Sequence, residues 1–156
     1  MEPRIDFQKV PAGARQAMAA VDQYLRKSGF DPRLAELVKM RASQINGCAY
    51  CIDMHSKDAR AEGETEQRLY ALSAWRETPF FSERERAALE WTEAVTKVSE
   101  NHVPDEVYER VRQHFDETEL VNLTLAVVAI NGWNRLAISL RAVPGTYQRP
   151  AVQAAH

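Results

Sequence analysis

The chain has two cysteines, Cys48 and Cys51, separated by Ala49 and Tyr50 and followed by His55. Thiols three positions apart can pass between dithiol and disulfide, so this cluster points first to redox chemistry. Ile45-Asn46-Gly47 reads as a helix end, and the stretch from Cys48 to Ala59 reads as the opening of the next helix. A helix N-terminus carries partial positive charge and favours thiolate. On a helical wheel Cys48, Cys51, Ile52, His55 and Ala59 share one face, so the imidazole lies on the side of the thiols. Only a thiolate attacks a peroxide or a disulfide, and a histidine four residues on can take the proton directly or through water. A sulfenic acid formed on one sulfur condenses with the other, which protects the first from over-oxidation.

The elements that must hold this cluster are helical. Helix start and stop signals recur at helix-length intervals, and no convincing period-2 runs occur, which predicts an all-α fold of about seven helices in a single domain spanning residues 1–156. A first helix is expected from Ala12 to Ser28, stopped by Gly29. Asp31-Pro32, an N-cap with proline at the first helical position, opens a second that ends near Asn46-Gly47. The cysteine helix runs to Glu62, with Gly63 as its stop, and a fourth spans Thr65 to Arg76. Ser82 and Glu85 form a capping box for a helix reaching Glu100, and Pro104 opens another ending near Phe115. Thr118 is the expected cap of the last long helix. From Leu120 to Ile138 that helix is apolar nearly all round, interrupted by Asn122, Asn131, Asn134 and Arg135, so it is expected to be central, oligomer-buried or both. The tail from Pro144 to His156 reads as frayed.

Composition narrows the partners. The 156 residues carry 20 Lys and Arg against 22 Asp and Glu, with the two signs interspersed, which argues against nucleic acid. The first fifteen residues contain no apolar run, and the unbroken run from Leu125 to Ile130 is too short to span a bilayer. No signal peptide, no membrane partner and a cytoplasmic address are therefore expected. In that setting paired thiols point to catalysis, redox sensing or metal rather than a permanent structural bond. Cys48, Cys51 and His55, with Glu36 as a fourth, form a possible zinc ligand set, but no second Cys or His pair accompanies them, and neither metal nor cofactor is assigned. His102 and His114 read as surface or capping histidines.

The residues resemble a known family, the alkylhydroperoxidase D-like branch of the carboxymuconolactone decarboxylase superfamily. Its redox members are similar in the register Glu, eleven residues, Cys-x-x-Cys, three residues, His, which Glu36, Cys48, Cys51 and His55 match. The block from Met40 to Cys48 and the segment Ala129 to Leu136 are also similar to that branch. The resemblance implies an all-helical homotrimer or homohexamer. It further implies a thiol peroxidase that reduces small hydroperoxides and is recycled by an external dithiol carrier of lipoyl or thioredoxin type. On the same ground Cys51 is the peroxidatic thiol, Cys48 the resolving thiol and proton donor, and Glu36 with His55 the proton relay. The helix dipole alone favours Cys48 as the more acidic thiol. Tyr50 departs from the histidine found between the cysteines of the redox members, and a phenol of pKa about 10 relays protons poorly at pH 7. Periodicity sets Glu36 roughly opposite Leu34, Leu37, Val38 and Ile45, as a solvated glutamate; only the family register brings it into the site.

Two other functions remain open at this point. Lactone decarboxylases of the same superfamily generally lack the paired cysteines. A non-enzymatic redox sensor would use the same pair to change assembly.

Overall fold

A computed structural model describes residues 2–7 and 9–149. Its regular elements are α1 (Ala12–Lys27), α2 (Pro32–Asn46), α3 (Ala49–Ala61), α4 (Glu66–Ala71), a 3₁₀ segment (Leu72–Glu77), α5 (Glu83–Thr96), α6 (Val98–Asn101), α7 (Asp105–Arg112) and α8 (Glu117–Leu140). Among the described residues all regular structure is helical, as the sequence predicts, with eight α-helices in place of about seven.

The additional pieces come from local breaks. The expected helix to Glu100 divides at Lys97, whose φ of -103° and ψ of 32° leave the helical region, giving α5 and the short α6. The expected helix from Thr65 to Arg76 tightens after Ala71, and Ala74 there leaves helical geometry. Two predicted starts form as expected. Asp31 accepts the Arg33 N–H ahead of Pro32, and Ser82 and Glu85 close a reciprocal capping box. The cap of α8 differs from expectation: Asp116, not Thr118, receives the Glu119 N–H, and the Glu119 carboxylate returns to the Asp116 N–H at 3.0 Å. The Asp116 and Glu119 carboxylates thus satisfy one N–H each, reciprocally, whereas Thr118 already lies inside the first turn.

α8 is the spine of the fold. It packs against α1, α2, α3, α5 and α7, while α2 also packs on α3 and α5. Leu123, Ala126 and Val127 of α8 are buried in one cluster with Val38 of α2, Ala88 of α5 and Phe115 among others, and Ile130 is buried in a second cluster with Ala42 and the two cysteines. By length and composition α8 is apolar enough to cross a membrane, which the short run from Leu125 to Ile130 does not reveal. Its buried asparagines and its packing on five other helices explain that apolarity as the centre of a bundle. Val121, Val128 and Ile138 are nonetheless exposed, leaving an uncovered apolar edge.

The tail also differs from expectation up to Arg149. Gly145 N–H donates to Asp53 at 3.0 Å, the Tyr147 hydroxyl reaches Asp58 at 2.9 Å, Lys57 Nζ donates to the Tyr147 carbonyl at 3.1 Å, and Arg149 pairs with Glu62. Polar anchors on α3 hold this segment, and such anchors leave no periodic apolar signal to read. The remainder of the expected frayed tail, residues 150–156, lies outside the described residues.

Candidate active site

The turn between α2 and α3 builds the thiol pair. Gly47 ends α2 at φ 67°, a left-handed conformation that suits glycine, and the Cys48 N–H then returns to the Ser43 carbonyl at 3.0 Å. Cys48 is thereby the N-cap of α3 and Cys51 sits in its first turn. Both thiols are free, and each is about 1% exposed. They pack with Ala42 and Ile130, bordered by Tyr50, Trp133 and Ala137. Along α3 the face predicted from spacing is the inward one: Cys48, Cys51, His55 and Ala59 are buried and Ile52 is half-buried.

Glu36 is where the family register, not the periodicity, places it. Its Oε2 lies 2.8 Å from His55 Nδ1, and its side chain is 12% exposed. The correction has a geometric cause: α2 is covered on more than one side, so its polar stripe meets α3 instead of solvent. Lys39 Nζ stands 3.6 Å from Glu36 Oε1 and 3.5 Å from Asp22 Oδ1, and Trp133 Nε1 donates to Asp22 Oδ2 at 2.8 Å. Burial pushes the Glu36 carboxyl upward, but the His55 hydrogen bond and the charges of His55 and Lys39 outweigh it and hold Glu36 below the usual carboxylate range. His55 Nε2 is buried without a hydrogen-bond partner.

The two thiols are driven apart. The Cys51 S–H donates to Cys48 and is the largest influence lowering Cys48 to about 7, against burial, with backbone N–H groups of Cys51 and Tyr50 and the Asn134 side chain adding to it. Cys51 moves strongly upward, because it is the donor in that bond, is buried, and sits beside the Cys48 charge. The direction for the pair is Cys48 down and Cys51 up, the same order that the helix dipole favours.

A cavity of about 650 Å³ opens onto Cys51, His55 and Glu36 and does not reach Cys48. Its apolar wall includes Ile5, Met54, Ile130, Trp133, Leu136 and Leu140. Tyr50 also lines it, with its phenol pushed up by burial and by the charges of Cys51, Asp53 and Cys48, so it holds its proton at neutral pH. A second cleft of about 690 Å³ shares Glu36, Lys39, Asp58 and Tyr147 with the first. Among the described residues the group with metal-ligand potential is Glu36, His55 and Asp58, whose ligand atoms lie within 4.8 Å, and it includes neither sulfur. Lys39 already neutralises Glu36, and Tyr147 hydrogen-bonds both Asp58 oxygens, so these ligand atoms are engaged. Sequence reasoning missed Asp22, Lys39, Asp58 and Tyr147, which bear no motif; the asparagines of α8 were visible only as interruptions.

The family model for the carboxymuconolactone decarboxylase family matches residues 12–94, which contain Glu36, both cysteines and His55. The chain belongs to this family, in its AhpD-like branch. It is 45% identical over 140 residues to the uncharacterized protein YdfG of Bacillus subtilis (strain 168), covering 90% of this chain and 95% of that one. A crystal structure of an Agrobacterium tumefaciens protein of unknown function, named as a candidate antioxidant defence protein AhpD, superposes with a TM-score of 0.90 at 43% identity, covering 94% of this chain and all of that one (100%). The debrominase Bmp8 shares the fold, with a TM-score of 0.74 at 20% identity over 83% of this chain and 70% of its own. The AhpD-like assignment thus rests on the Agrobacterium structure, and the Bmp8 structure shows the fold alone.

Proposed function

We propose that this chain is a thiol-dependent peroxidase acting on small hydroperoxides. The observation that carries the reading is a cavity reaching Cys51 but not Cys48, with His55 and Glu36 on its wall. A peroxide entering it meets Cys51 first. Cys51 passes its proton to the Cys48 thiolate or to His55 Nε2, and its sulfur attacks the terminal peroxide oxygen. The O–O bond breaks, and the leaving alkoxide takes a proton, giving Cys51 sulfenic acid and an alcohol. Cys48 then attacks the Cys51 sulfur, water leaves, and a disulfide closes. An external dithiol of lipoyl or thioredoxin type returns two electrons and two protons. Glu36 orients His55 through Nδ1, with Lys39 and Asp22 holding Glu36 in place.

In this scheme the acidity of Cys48 and the reactivity of Cys51 are compatible. Cys48 stores the charge and serves as the local base; Cys51 has the access. The exposed Val121, Val128 and Ile138 support assembly as a homotrimer or homohexamer, and a cytoplasmic address fits a pair that cycles through the reduced state. The test is peroxide consumption with a recycling dithiol in the wild type, Cys48→Ser and Cys51→Ser. Turnover in the wild type and its loss in both variants is expected. Disulfide formation without turnover would instead mark a redox sensor, and turnover independent of both cysteines would overturn the reading.

A further inference from the structure

Asn131 and Asn134 of α8 join Asn46 and Ser43 of α2 in a network whose donors and acceptors can be assigned one after another. Asn131 Nδ2 donates to the Val127 carbonyl at 2.9 Å, and a carbonyl can only accept. The Asn131 oxygen therefore faces the other way, where Arg135 Nη1 at 3.1 Å and Asn46 Nδ2 at 3.0 Å both donate to it. Asn46, having turned its nitrogen outward, donates also to Asn134 Oδ1 at 2.8 Å. This fixes the Asn134 amide with its nitrogen toward Ser43 Oγ, 3.1 Å away. Ser43 enforces the same orientation independently. Its hydroxyl proton is given to the Lys39 carbonyl at 2.7 Å, so its oxygen can only accept from Asn134.

An amide nitrogen carries two hydrogens, and Ser43 takes one. Asn134 is about 0% exposed and lies on α8 between Ile130 and Ala137, which both border the thiols, so its second hydrogen has no water to meet. We propose that Asn134 is a fixed hydrogen-bond donor to the reacting sulfurs of Cys48 and Cys51, held in that orientation by Asn46 and Ser43. A donor locked in place stabilises the charged form of whichever sulfur bears the charge, and cannot rotate to offer its oxygen instead. The lowering influence of Asn134 on both thiols agrees with this. As the charge passes from Cys48 to Cys51 and back, one donor serves both positions. The inference rests on the redox reading of the pair, but its test does not need a peroxide.

The first measurement uses the reduced wild type, because Asn134 variants risk misfolding. In ¹⁵N-labelled protein the Asn134 side-chain amide resonances should move with pH at the same midpoint as the Cys48 thiolate absorbance. The second compares variants by thiolate absorbance. Loss of one hydrogen bond to a charged group weakens ionisation about tenfold, so in Asn134→Ala the thiolate fraction at pH 7 should fall from about half to about a tenth. Ser43→Ala removes one of the two holders and leaves Asn46 in place, so it should raise the midpoint by less than Asn134→Ala does. Amide resonances indifferent to thiol ionisation, or a folded Asn134→Ala with an unchanged midpoint, would overturn the proposal. A wild type that shows both effects yet consumes no peroxide sustains it and defeats the peroxidase reading alone.

Discussion

Removing the Cys51 thiol should change the ionisation of Cys48 in a way that depends on what replaces it. The S–H of Cys51 is the largest influence lowering Cys48 from the usual 9.0 to about 7. At pH 7 a group titrating at about 7 is about half ionised, whereas one at 9.0 is about 1% ionised, so the full shift is worth about fiftyfold in thiolate. Cys51→Ser keeps an O–H donor near the same place and should leave Cys48 titrating within about one unit of its wild-type midpoint. Cys51→Ala removes the donor and leaves the backbone N–H groups of the helix start and Asn134, so the midpoint should rise by more than one unit. The assay is ultraviolet thiolate absorbance of the reduced, oxygen-free protein across pH. Wild type should show one thiol titrating near neutrality and the second only in strong alkali. If Cys51→Ala still titrates near 7, the helix N-terminus and not the neighbouring thiol sets the acidity. If both wild-type thiols titrate together near 9, the opposite shifts of the pair are wrong.

Other consequences are separately measurable. In Cys48→Ser no resolving thiol remains, so mild peroxide should trap a sulfenic acid on Cys51, detected with a sulfenate-specific label; the same label appearing chiefly on Cys48 in Cys51→Ser would reverse the two roles. Glu36 has a folded-state pKa below its unfolded value, so its contribution to stability is present above the unfolded pKa and is lost as pH falls through the folded one. Wild type should accordingly exceed Glu36→Gln in urea midpoint at pH 7, and the gap should close in acid; a gap that widens on acidification would contradict the direction of the shift. Leu123 of α8 is about 0% exposed, and Leu123→Ala should cost about 2–5 kcal/mol in chemical denaturation, with a loss under 1 kcal/mol contradicting the central placement of that helix.

Much of this fold was legible because its signals are local. Asp31-Pro32 and the Ser82 and Glu85 box announce helix starts through hydrogen bonds made within three residues, and the face shared by Cys48, Cys51 and His55 follows from helical spacing alone. What escaped depends on neighbours distant in sequence. Glu36 looks solvated on a wheel that knows only its own helix, and becomes a buried partner of His55 because α3 covers that side. Tyr147 and Gly145 reach α3 through polar anchors without any periodic pattern, and so read as a frayed tail. Asn131 and Asn134 of α8 look like breaks in an apolar helix, and turn out to be internal polar groups because each finds a partner on α2 or α5 or within α8. Asp116 and Thr118 are both competent caps, and the choice between them was settled by the reciprocal bond from Glu119.

The central claim is that Cys51 and Cys48 together reduce one peroxide by forming one disulfide within a single chain. Single-turnover stoichiometry tests it most directly: reduced protein is mixed with one equivalent of an organic hydroperoxide, and free thiols, intact mass and alcohol product are measured together. The account predicts loss of two thiols per chain, a mass lower by two hydrogens, no covalent dimer and one alcohol formed for each disulfide. Both thiols surviving, or a disulfide forming without alcohol, would contradict it.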